Sequence, residues 1–222
     1  MADKFPNAAI IGTDISPIQP AWVPPTVSFQ IDDAQQEWTW PINHFDFIHT
    51  RNLEGCISDW SDLQAKAFKH LKPGGWYEDV AYDIHTRSES PLVGPDHIYN
   101  KWSAFFFEAG DKMGKSFQYV RDSAQRHRME KVGFVNIHET KFKVPVGGWS
   151  SDPVLKAVGM YNGLFIDQSL EGFALFIFKQ VLGWEYDEIM EFVGEMRRQL
   201  RNQKTMPYYE LHVVYGQKPE KS

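Results

Sequence analysis

Several polar groups in this sequence stand where short apolar runs end, which is where a side chain can meet a ligand. Ala9–Ile11 is apolar and rich in β-branched residues, Gly12 and Thr13 lead from it to Asp14, and Ser-Pro and Gln-Pro pairs then brake the chain. That pattern reads as a buried parallel strand closed by a carboxylate and followed by a loop. In open α/β sheets ligands lie beyond the carboxyl ends of the strands, and an acidic side chain there accepts both hydroxyls of a ribose. An acidic residue in this position equally forms a turn or a helix cap. Val27–Ile31 runs in the same way into Asp32 and Asp33, and Phe45–His49 closes on His49, Thr50 and Arg51. Proton transfer needs a polar group at or near such a strand end, and His49, Glu78 and His85 qualify. Glu78 has a second reading, as a carboxylate held by Arg51 in a structural role. The eight histidines are scattered singly, with no HxH, HxxxH or cysteine pair, so no metal is expected. A G-x-S-x-G elbow and a phosphate-binding P-loop are both missing.

The elements that position these groups follow from periodicity. MADKFPNA reads as the frayed last turn of a helix broken by Pro6. Ser58 or Asp59 caps a helix whose apolar residues Trp60, Leu63, Ala67, Phe68 and Leu71 recur at helical spacing; LKPGG ends it, with Gly74 supplying a left-handed turn. Trp76–Ala81 is a fourth strand with Glu78 and Asp79 on opposite faces, and His85–Pro95 reads as a loop. Ile98, Trp102, Phe105, Phe106, Ala109 and Met113 mark a helix closed by Gly114, Arg121–Lys131 a shorter one, and Phe134–Glu139 a strand. From Asp152 the pattern is helical, with stripes through Leu170, Ala174, Ile177, Phe178 and Val181, then, opening near Asp187, through Ile189, Val193, Met196 and Leu200. Tyr161, Asn162 and Phe165 stand outside the first stripe and either line a cavity, as in the lid or wall of a substrate pocket, or face a partner, or pack on the sheet. Tyr208–Tyr215 is the final strand. The whole reads as one α/β domain over residues 1–222 with a helical cap at 152–204.

Composition narrows the function. A chain of 222 residues fits one domain, and the longest apolar run, Phe173–Phe178, is too short to cross a bilayer. No secretion signal is evident at the N-terminus, and Cys56, the single cysteine, forms no internal disulfide, so a cytoplasmic or nuclear location is expected. A formal charge of -6 gives no attraction to phosphate backbones, and the one basic cluster, Arg197–Lys204, sits at a helix end, where it complements the dipole. Neither nucleic acid nor a membrane is expected as partner. Aromatic residues make up 15% of the chain, enough for an aromatic-walled pocket taking a flat or polycyclic small molecule.

GTDISPIQPAWVPP, the IDD of Ile31–Asp33 followed by EWTW, FDFIHTR at Phe45–Arg51, LKPGGWYE at Leu71–Glu78 and the closing VVYGQKP together resemble the fungal LaeA-like, TAM-type S-adenosylmethionine methyltransferases, in order and through nearly the whole chain. The resemblance implies a class I methyltransferase (Rossmann-like) sheet and a role in fungal secondary metabolism. It also implies that Asp14, with Ile15 beside it, meets the cofactor ribose. Asp32 and Asp33 then lie at the adenine, and His49, Thr50 and Arg51 face the methionine half. Methyl transfer needs chiefly alignment of the nucleophile, with a base in some cases, and His49, Arg51 and Glu78 are the catalytic candidates.

The family opens with a strand and a D-x-G-x-G-x-G loop about twenty residues before the position of Ala9, and the present sequence starts after it. The fold is therefore expected to be an N-terminally truncated version whose central strand, between those at Ala9 and Phe45, is absent. Either the sheet closes over the gap, or another chain or a second copy donates a strand, or the true start lies upstream. Two functions follow: a methyltransferase acting on a small molecule, or a scaffold repurposed as a cyclase or noncatalytic partner that no longer uses S-adenosylmethionine. The first is adopted here. Because the glycine loop is absent, cofactor binding by the 222-residue form is expected to be weak or absent.

Overall fold

The computed structural model describes residues 1–220. Its strands form two separate sheets. β1 (Ile10–Asp14) pairs in parallel with β2 (Val27–Ile31), Asp14 standing beside Ile31. The larger sheet contains β3 (Phe45–Arg51), β4 (Leu71–Ser88), β5 (Val135–Pro145) and β6 (Pro207–Gln217), in the order β3-β4-β6-β5. β3 and β4 are parallel; the β4–β6 and β5–β6 pairs are antiparallel. Among the described residues no strand joins β1 to β3, so the sheet does not close over the gap expected there. This corrects the reading of β1 as buried: Ile11, Phe29 and Ile31 are exposed, because a two-stranded ribbon with no strand on its inner edge has nothing to pack against.

α1 (Trp60–His70) is started by Asp59, whose Oδ1 accepts the backbone N–H groups of Ser61 and Asp62 at 2.9 and 3.0 Å. Its end is not the glycine cap expected from LKPGG. The chain turns extended at Leu71, and Lys218 supplies the capping donors, its Nζ lying 2.7 Å from the Phe68 carbonyl and 2.9 Å from that of Leu71. Gly74, at φ +79°, kinks the beginning of β4 instead, and Gln217 Nε2 bonds its carbonyl at 2.9 Å. The two motifs LKPGG and GQKP are thus halves of one junction. β4 continues past Ala81 to Ser88 because β6 pairs with it as far as Pro207, so the expected loop is confined to the segment after Ser88.

α2 (Ile98–Met113) ends on Gly114 in the left-handed region, as its sequence predicts. A 3₁₀ turn at Arg121–Ser123 leads into α3 (Ala124–Val132), which packs with α1 on one face of the larger sheet. α4 (Pro153–Ala174) runs into a π-helical segment, Leu175–Val181, that periodicity did not reveal, and α5 (Tyr186–Arg201) opens on a capping box between Glu185 and Glu188. These helices share an aromatic core with α2: Phe178 contacts Trp102, Phe106 and Trp184, and Trp102 stacks on Phe192 at 5.9 Å. No helix among the described residues is long and apolar enough to cross a membrane.

Candidate functional site

The carboxyl ends of β1, β2 and β3 gather one set of polar groups. Asp14 caps the turn after β1, its Oδ1 accepting Ser16 N–H at 2.9 Å while Oδ2 has no protein partner among the described residues. Its carbonyl receives Asp32 N–H at 3.0 Å, which ties the two strand ends together. Asp33 Oδ1 accepts Gln35 N–H at 2.9 Å, and that bond holds its carboxyl below the usual value, with Lys115 acting in the same sense. Ile15 projects into solvent. The loop after β3 brings Glu54 and Cys56 to this place: burial raises the Cys56 thiol, Glu54 and Asp14 push it further, and Lys115 opposes them. Cys56 therefore sits within electrostatic reach of Asp14, Glu54 and Lys115, and Lys115 within reach of Asp33, although spacing singled out only Asp14 and Asp33.

Glu54 is the most perturbed of these. Its carboxylate accepts the backbone N–H of Tyr82, and burial, with a smaller push from Asp79, raises its pKa from 4.5 to about 7. A carboxyl that titrates near neutrality at a strand-end cluster is equipped to take or give a proton. Nothing in the sequence around Asn52–Cys56 announces this, since the shift comes from the packing of the loop over β4.

His49 and Glu78 are direct neighbours in the β3–β4 register, and His49 Nδ1 lies 2.9 Å from Glu78 Oε1. With Nδ1 donating to the carboxylate, Nε2 is left to accept a proton; a carboxylate that orients an imidazole in this way selects the tautomer a general base needs. The structural role expected for Glu78 has a different partner, since His49 and not Arg51 holds it; Arg51 stands beside Val80, two residues further along. The row continues across the sheet to Tyr215 and His138, which stack at 5.1 Å. Phe47 stacks on His49 at 6.3 Å and Trp76 meets Tyr215 at 5.8 Å, so the pair lies on an aromatic surface that stays partly open.

Thr50 points the other way. Its hydroxyl donates to Asp79 Oδ1 at 2.9 Å and lies 2.8 Å from the Tyr77 hydroxyl, in the packed layer under α1 and α3. Asp79 also receives Tyr119 O–H at 3.3 Å and Gln125 Nε2 at 2.9 Å, and Tyr119 stacks flat on Trp60 with ring centres 3.7 Å apart. Burial raises the Asp79 pKa while these donors pull it down. Alternation placed Asp79 opposite Glu78 but gave it no partners.

His85, the third proton-transfer candidate, lies elsewhere. It lines a cleft of about 520 Å³ with Asp83, Arg87, Arg121, Glu210 and His212, which includes neither His49 nor Glu78. Arg87 is spoken for there, pairing with Asp83 at 2.9 Å and Glu210 at 3.2 Å. Burial lowers the His85 pKa, and Arg87 and Arg121 lower it further.

Comparison with known proteins now identifies the family. A family model described as a methyltransferase domain matches residues 1–139. The chain belongs to this methyltransferase family. It is 32% identical over 220 residues to methyltransferase pytC of Aspergillus terreus, covering 99% of this chain and 67% of that one. It is 30% identical over 223 residues to the secondary metabolism regulator LAE1 of Cochliobolus heterostrophus, covering 99% and 72%. Among solved structures, a Galdieria sulphuraria protein assigned provisionally as a sarcosine dimethylglycine methyltransferase superposes with a TM-score of 0.53 at 12% identity, over 100% of this chain and 73% of that one. That likeness shows the fold, the α/β fold of the class I methyltransferases that the sequence motifs implied. The family is one of S-adenosylmethionine-dependent methyltransferases.

Proposed function

We propose that this protein is an S-adenosylmethionine-dependent methyltransferase of fungal secondary metabolism, acting on oxygen or nitrogen of an aromatic or polycyclic small molecule. The observation that carries this reading is the set of polar groups at the carboxyl ends of β1, β2 and β3, where a backbone bond ties Asp32 to Asp14, Asp33 follows, and His49 pairs with Glu78. The donor set fits the nucleoside half of the cofactor. Asp14 has an oxygen without a protein partner for ribose hydroxyls, and Asp32 and Asp33 are held in place for the adenine side. Its sulfonium supplies an activated methyl group. The protein's own residues then have two tasks. The aromatic surface of Phe47, Trp76 and Tyr215 orients a flat acceptor, and His49 Nε2, with Glu78 fixing the ring, takes the proton that the acceptor loses. Arg51 and Thr50 border the methionine side, Thr50 through its backbone because its hydroxyl serves Asp79. The name of LAE1, a secondary metabolism regulator, supports the pathway assignment, and that of pytC supports methyl transfer; the protein works in the cytoplasm or the nucleus.

Calorimetric titration with S-adenosylhomocysteine tests the cofactor assignment. Because β1 and β3 are parted and, among the described residues, no glycine-rich loop lies beside Asp14, the 222-residue form is expected to bind more weakly than micromolar. Asp14→Ala is expected to lower the remaining affinity by ~1.5–3 kcal/mol, the usual range for a hydrogen bond to a charged group, with the melting temperature kept. A variant that melts earlier and binds equally well would make Asp14 a turn residue only. Complete indifference to the cofactor in both proteins would favour the repurposed scaffold, a cyclase or noncatalytic partner.

A further inference from the structure

The cleft that holds His85 is separate from the His49–Glu78 surface. His212 stands beside Ala81 in the β4–β6 register, so it lies on the face of the larger sheet that carries Asp79, away from Glu78. α2 contributes Ala104 and Phe107 to the cleft wall, and the Arg121 guanidinium lies 4.3 Å over the Phe107 ring. The polar groups here are held close to one another without meeting. His212 is 2% exposed, and neither ring nitrogen has a hydrogen-bond partner among the described residues. Its Nε2 stops 3.7 Å from Glu210 Oε2. Arg121 Nε, also buried and unpartnered, stops 3.6 Å from Asp83 Oδ1, and His85 Nδ1 is a third buried atom without a partner. Polar atoms enclosed in this way cost free energy until something bonds them.

The gaps specify what fits them. Each sets a nitrogen that can donate against a carboxylate oxygen, too far apart to bond directly, and a hydroxyl oxygen at about 2.8 Å from both accepts from the one and donates to the other. A carboxylate or phosphate would face Asp83 and Glu210 with like charge, and an ammonium would leave the N–H groups unmet. Charge points the same way. Arg87, Arg121 and Lys141 balance Asp83, Asp122 and Glu210 along the lining. Burial holds both His85 and His212 below the usual histidine value, so at neutral pH the rings are uncharged and the lining has no net charge to hold an ion. The volume of about 520 Å³ suits a small molecule, and the Arg121–Phe107 stack is a surface that a flat ring extends. We propose that this cleft binds a neutral polyhydroxylated aromatic molecule, one hydroxyl bridging His212 to Glu210, another bridging Arg121 to Asp83, and the ring lying against the Arg121–Phe107 stack. It is a second site, and it stands independently of the methyl-transfer reading.

The probe is phloroglucinol, a benzene ring with three hydroxyls, titrated into protein carrying isotope-labelled histidine and followed by the imidazole nitrogen resonances. It is expected to bind with a Kd of ~0.1–1 mM, ordinary for so few atoms, and to move the His212 signals. Three controls separate the contributions: its trimethyl ether accepts but cannot donate, trimesate is flat but anionic, and myo-inositol has hydroxyls without an aromatic ring. Each is expected to bind about tenfold more weakly or worse. His212→Leu is expected to weaken phloroglucinol about tenfold while the melting temperature holds or rises, because the fold gives the ring nitrogens no partner to lose. Ala104→Trp, at an exposed position of α2, is expected to block the cleft without touching these groups, and it carries the test if His212→Leu does not fold. No shift at about 10 mM phloroglucinol means that water alone fills the gaps and overturns the proposal. So does equal binding of any control, or an affinity unchanged in the folded variants.

Discussion

The two faces of β4 treat neighbouring carboxylates in opposite ways. Glu78 lies on the partly open face, where it has one partner, His49, at 2.9 Å. Asp79, the next residue, lies on the packed face, 1% exposed, and accepts from Thr50, Tyr119 and Gln125. The pleat alone separates them. A carboxylate that keeps contact with water and aromatic surface remains available for chemistry. One enclosed by three donors serves structure, because every one of those donors is left unsatisfied if it is lost.

That contrast sets a scale for disruption. Asp79→Ala is expected to destabilise by about 3 kcal/mol or more, since Thr50, Tyr119 and Gln125 lose their common acceptor in a closed layer. Asp79→Asn is expected to recover most of it, because Gln125 can turn its amide, whose Oε1 now lacks a partner, toward the new NH₂. Urea denaturation measures both, and a melting curve for Asp79→Ala that overlays wild type would erase the distinction between the faces.

Glu54 sharpens the comparison through pH. Its carboxyl ionises at 4.5 when unfolded and at about 7 when folded. Between those values the folded state binds more protons, so this group's contribution falls as pH rises through the window and is fully unfavourable above about 7. Glu54→Gln can keep the Tyr82 N–H bond while removing the charge. It is expected to be more stable than wild type by on the order of 3 kcal/mol at pH 8, and to show no such advantage at pH 4. Melting of both proteins across this range decides it; parallel curves would mean that Glu54 is solvated.

The smallest change in stability is expected for Glu78→Gln, where an exposed pair is worth ~0.2–1 kcal/mol. Activity is the sensitive readout there. If Glu78 orients the base, kcat is expected to fall by ~10²–10⁴, the range that general-base catalysis supplies, while KM stays near wild type. A fall in KM-dependent binding alone would assign the pair to holding the acceptor.

Apolar periodicity and turn residues made most elements legible. Asp59, Gly114 and Asp152 mark helix ends where the structure has them, and the final strand and the amphipathic α5 appear where their patterns run. What local pattern misjudged is what distant residues decide. β4 extends to Ser88 because β6 arrives to pair with it, and α1 ends where Lys218, remote in the chain, reaches its carbonyls. The ribbon of β1 and β2 is exposed although its residues are apolar, since burial needs a neighbour as well as a hydrophobic side chain.

The candidate site divides along the same line. Residue type, strand-end position and family motifs singled out Asp14, Asp33, His49 and Glu78, because a carboxylate or imidazole after a short apolar run is visible in one dimension. Register then made His49 and Glu78 a pair, and loop packing moved Glu54 toward neutrality. The sequence by itself determined which chemical groups are present and which way alternating side chains point. Only the tertiary structure decided which of them meet and how dry their surroundings are, because distance and desolvation, the quantities that set a hydrogen bond or a pKa, are properties of the packed chain.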